Sequence, residues 1–82
     1  MATVHCIALY RDNVLERLEY FGDASGRDGF ALTLPVLPGD VVTEWVDNVP
    51  AVDLEWHVLQ AAIRRDYTPS ARYTVPPPQS GR

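Results

Sequence analysis

The chain has 82 residues, 46% of them apolar, and a formal net charge of −4. A chain of this length hides only about 60–65% of the surface it exposes when unfolded, so the sequence predicts one domain with a thin core and little to spare. An ordinary apolar share excludes wholesale disorder, and the single cysteine, Cys6, excludes an internal disulfide or a thiolate-rich zinc site.

No apolar run approaches the roughly 18 residues of a membrane span, and residues 1–9 lack a basic leader and a long apolar block. The expectation is a protein without a membrane partner or secretory signal, cytoplasmic or carried within a virion or particle. All seven basic residues are arginine, and the charge is unevenly spread. Residues 30–63 hold Asp40, Glu44, Asp47, Asp53 and Glu55 without one base, whereas 64–82 hold Arg64, Arg65, Arg72 and Arg82 against Asp66 alone. Phosphate binding needs a basic field that the body lacks, so direct nucleic-acid binding is not expected. An acidic middle suits a protein partner with a basic surface. It also suits self-association, acidic middle to basic end.

In chain order, residues 3–9 are rich in β-formers and predict a first strand. Arg11, Asp12 and Asn13 break it. Val14, Leu15, Leu18 and Phe21 then recur at helical spacing, with Asn13 at the N-cap, Glu16 at the capping-box offset and Gly22 as C-cap, so 14–21 is read as a short helix. Its rival is a hairpin strand, because Val14, Leu18 and Tyr20 also fit a period of two. Residues 23–29 read as a polar loop, and 30–37 as an alternating strand limited to an edge by Pro35. Pro38, Gly39 and Asp40 make a turn. A third strand follows over 41–46, and 47–50 is a loop.

The longest element is a helix over 53–66, with Asp53 at the N-cap and Arg64 and Arg65 in the last turn. Leu54, Val58, Ala61 and Ala62 line one side beside Trp56, Leu59 and Ile63, and Trp56 and Leu59 are expected in the core. Thr68 and Pro69 stop it. Residues 70–75 can form a last strand, which Pro76, Pro77 and Pro78 close. The fold class is α+β in one compact domain over 1–75, followed by a proline-rich tail over 76–82. The order β-α-β-β-α-β is that of the ferredoxin-like split βαβ unit; a β-meander followed by one main helix is the alternative.

Asp12, Leu15, Leu18, Tyr20, Phe21, Gly22 and Asp23, with Leu37, Pro38, Gly39, Asp40, Val41 and Val42, are similar to the frame of LysM-like domains. Arg11 stands where that frame has the glycine of its first turn, the Asp-to-Gly interval is one residue short, and too few residues follow for its second helix. The family is therefore not assigned.

Candidate chemistry is sparse. His5 and Cys6 are adjacent on a strand and point to opposite faces, so they cannot share a metal. His57 lies one turn beyond Asp53, a pair able to orient a general base, yet no activated nucleophile stands near it in sequence. The 23–29 segment fails as a cation loop because Arg27 occupies a ligand position. Neither a catalytic set, a cofactor nor a metal site is expected. The candidate interface residues are Trp45 with the acids Glu44 and Asp47, since tryptophan concentrates at interface hot spots, and the polyproline tail Pro76, Pro77 and Pro78 ending at Arg82. They lead to a non-enzymatic interaction module, a small component or adaptor of a larger assembly such as a phage-like particle. One alternative is an acidic inhibitor that mimics nucleic acid. Another is a small ligand-binding domain or enzyme centred on His57 and Asp53.

Overall fold

A strand covered on both faces must be apolar at nearly every position, not at alternate ones. Residues 4–10 contain such a run, and in the computed structural model, which describes residues 1–69, it forms the middle of the central strand. Strand β1 (Ala2–Arg11) pairs antiparallel with β2 (Val14–Phe21) on one side and with β3 (Val41–Val49) on the other, giving the sheet order β2-β1-β3. Helix α1 (Ala24–Thr33) lies between β2 and β3 in the chain, and α2 (Leu54–Arg64) follows β3. The protein is an α+β single domain.

The register sorts the core into two clusters. Val4, Cys6, Ala8 and Tyr10 of β1 share one face with Trp45 and Val49 of β3 and pack against Val58 and Ala62 of α2. Ile7 and Leu9 point the other way, with Val42, and pack with Phe30, Ala31 and Leu34 at the α1 side. One sheet thus lies between two helices. Burying such apolar side chains stabilises by roughly 1.5–3 kcal/mol each.

The chain order differs from β-α-β-β-α-β, and the differences have local causes. Residues 14–21 are strand β2, as in the hairpin rival, not a helix. Asp12 and Asn13 both adopt positive φ (55° and 67°), the backbone of a two-residue hairpin turn, so Asn13 is a turn residue and not an N-cap. Residues 24–33 are helical where a loop and the start of a strand were expected. Asp23 caps this helix, its side chain accepting a hydrogen bond from the Gly26 N–H at 2.7 Å. The Phe30 and Leu32 alternation does not reflect burial: Leu32 is 89% exposed, and the residues meeting the sheet are Arg27, Phe30, Ala31 and Leu34, at helical spacing. Leu34 is extended (φ −74°, ψ 123°), as the residue before Pro35 must be, and the helix ends there.

Gly26 sits at a close approach: a Cβ there would lie 3.1 Å from Cδ2 of Phe21 and 3.2 Å from the capping oxygen of Asp23, so those side chains would have to shift by a few tenths of an ångström to admit one. Strand β3 runs on through Asp47, Asn48 and Val49, which were expected in a loop. The sheet is not a meander either, since β1, and not β2, is central. The expected strand over 70–75 and tail over 76–82, with Pro76, Pro77, Pro78 and Arg82, lie outside the described residues.

Candidate interaction surface

Helix α2 is apolar on two sides. Leu54, Val58, Ala61 and Ala62 face the sheet. Trp56, Leu59 and Ile63, spaced three and four apart, fall within about 60° of the opposite circumference. They are 56%, 37% and 57% exposed. The expectation that Trp56 and Leu59 belong to the core is therefore overturned. The two tryptophans exchange the roles that the sequence suggested: Trp45, a candidate interface residue, is wholly buried, and Trp56 is on the surface.

The helix carrying this stripe is firmly seated. The Tyr10 hydroxyl donates to the Ala62 carbonyl at 2.7 Å and lies 2.9 Å from the Tyr67 hydroxyl. Tyr67 stacks on Trp45 with ring centres 3.9 Å apart and planes 7° from parallel, while the Arg65 guanidinium lies 3.9 Å above the Tyr10 ring. Burial, with the Tyr67 hydrogen bond second, raises the Tyr10 pKa above its ordinary value. Arg65, at φ 57°, ends the helix by donating its N–H to the Ala61 carbonyl at 2.8 Å.

The stripe is flanked by two shallow clefts. One, of about 460 Å³, lies between the end of β3 and α2 and is lined by Asp47, His57, Gln60, Arg64 and Asp66 beside Trp56. The other, of about 410 Å³, brings Ile63 and Arg65 to Val14 and Leu15 of the hairpin. His57 packs edge-on to Trp56 at 5.3 Å. Its link to Asp53 is through the backbone, His57 N–H to Asp53 carbonyl at 3.0 Å. Among the described residues the Asp53 side chain makes no capping bond, and its backbone is left-handed at φ 64°.

The acids expected to form one docking face are divided. Glu44 is 1% exposed and ion-pairs with the buried Arg27 at 3.2 Å, Nε to Oε1. Asp40 accepts two hydrogen bonds from Arg11, at 3.0 and 2.8 Å, and one from the Leu37 N–H at 2.9 Å. The Arg11 guanidinium first, and the Leu37 amide second, hold its carboxyl below the ordinary range. Asp47 is half-buried and lines the larger of these two clefts. Glu44 and Trp45 are buried as folded, and present no surface to a partner.

His5 and Cys6 point to opposite faces, as the strand predicts, and Cys6 is a core residue. No group of three or more metal-ligating side chains occurs among the described residues, and none of their helices is long and apolar enough to cross a membrane. Comparison with family models, curated proteins and solved structures gives no match. The exposed stripe was legible in principle: a helix with apolar residues on both sides, in a domain with one sheet to cover them, leaves one side uncovered.

Proposed function

We propose that the chain is a non-enzymatic protein-protein interaction module, a small structural component or adaptor of a larger assembly, with α2 as its contact surface. The observation that carries this reading is the outward row Trp56, Leu59 and Ile63 on a helix already satisfied on its inner side. An isolated exposed apolar residue needs no explanation, but an aligned row that includes an indole has the composition of an interface core. A phage-like particle is one setting for so small a component, by analogy alone.

The nucleic-acid mimic loses support, because Asp40 and Glu44 are engaged by Arg11 and Arg27 and are not arrayed outward like phosphates. The test is the Trp56→Ala variant, tagged and recovered from the native source beside the parent chain. Its melt should stay within about 1 kcal/mol of the parent, as an exposed position allows, while the co-purifying proteins are lost. Recovery of the same proteins at the same yield would refute α2 as the contact surface.

A further inference from the structure

The flanks of the stripe point to its occupant. At about 100° per residue, Arg64 falls roughly 80° to one side of Trp56. The Cα of Asp53, which as N-cap still lies on the helix cylinder although its own backbone is left-handed, falls roughly 60° to that same side at the other end of α2. Both are exposed, and they carry opposite charge. We infer that the face is covered by a second copy of this chain, with the two α2 helices packed antiparallel about a two-fold axis. This rests on the reading of α2 as an interaction surface and names its partner.

A two-fold axis crossing the helices at right angles within the interface reverses their direction but keeps each flank on its own side. Asp53 of one copy then lies toward Arg64 of the other, and the reciprocal contact forms by symmetry. The rows Trp56, Leu59 and Ile63 meet between them. A parallel pair would place Asp53 and its counterpart on opposite flanks and gain no such contact. Antiparallel alignment also sets each helix N-terminus against a C-terminus, which favours the pair electrostatically. The helix has 11 residues, so the contact is smaller than the roughly 800 Å² per partner of a standard stable interface. The dimer is therefore weak and concentration-dependent.

Sedimentation equilibrium of the full chain from micromolar to millimolar concentration tests this. The expected result is a monomer–dimer equilibrium whose dissociation constant rises at least about tenfold in Trp56→Ala, the loss expected for an interface hot spot, with an unchanged melt. Asp53→Arg and Arg64→Glu should each weaken the dimer several-fold, and an equimolar mixture of the two should recover a 1:1 dimer. A chain monomeric throughout this range overturns the proposal. So does a dimer indifferent to Trp56→Ala, or one whose charge variants do not complement each other. If the chain is monomeric but Trp56→Ala still loses its co-purifying proteins, the two-fold pair falls and the interaction-module reading stands. A dimer that appears only after residues 70–82 are deleted makes that segment the occupant in the intact chain, and it too overturns the proposal.

Discussion

Val58 is sealed between α2 and the sheet at 0% exposure, while Leu59 beside it stays 37% exposed on the outward side. Removing the Val58 methyl groups deletes contacts that a thin core cannot replace, so Val58→Ala should cost about 2 kcal/mol in urea melts. Leu59→Ala should cost less, about 1 kcal/mol, because over a third of the residue already meets water. Equal losses at the two positions would show that the face assignment is wrong. At Cys6, burial first and the charge of Asp47 second push the thiol from its ordinary 9.0 up to about 12, with Arg27 opposing. The folded thiol therefore keeps its proton where the unfolded one has lost it. Its contribution is complete below pH 9.0 and is lost as pH rises toward about 12, at a limiting slope of about 1.4 kcal/mol per pH unit for one proton. Cys6→Ala should flatten the alkaline limb by that one proton, leaving the contribution of Tyr10, whose pKa is also raised. An alkaline limb unchanged in Cys6→Ala would show that another group sets it.

Elements succeed or fail on their ends. Helix α1 carries Gly26 and Gly29 in its interior, each costing about 1 kcal/mol against alanine, so its cap matters. Asp23→Ala should lose about 1 kcal/mol with the bond to the Gly26 N–H. Asn13→Val should lose about 1–2 kcal/mol, because a β-branched residue resists the left-handed backbone of the hairpin turn. Chemical denaturation of both variants checks the pair, and a neutral Asn13→Val would remove the turn from the account of β2. These two ends also explain what the sequence hid. Leu15 and Leu18 are three apart and cannot share a face of a regular strand, which is why 14–21 resembles a helix. The pairing shows how they do share one: Tyr10 stands opposite Leu15 and Leu9 opposite Arg17, so Glu16 is an extra residue in a bulge. A bulge mimics helical spacing within one strand. Strand β1 and the helix expected over 53–66, which spans Leu54–Arg64, were legible because their patterns were long. The exposed row on α2 was legible only as one of two apolar sides, because periodicity does not tell which of them the sheet takes.

Among the described residues, a central strand covered by one helix on each face leaves both outer sides of the helices to the surroundings, and α2 carries a row of large apolar residues there where α1 carries Leu32 alone. Helix α1 instead uses charge at its inner contact. Arg27, 4% exposed, reaches across the sheet face to Glu44 of β3, 1% exposed, and also lies 3.4 Å from Asp28. Buried pairs of this kind add little net stability, because removing two charges from water costs about as much as their attraction returns. Breaking one is another matter. Arg27→Met strips Glu44 of this guanidinium and should cost about 3 kcal/mol or more, with Glu44→Leu costing a similar amount. Combined, Arg27→Met and Glu44→Leu replace the pair by apolar side chains, and the double variant should recover most of the loss. A thermodynamic cycle over the four proteins measures the coupling. Coupling above about 1 kcal/mol would show that each charge depends on the other for its place in the core. Strict additivity would separate the two residues energetically and leave Phe30, Ala31 and Leu34 to hold α1 in place.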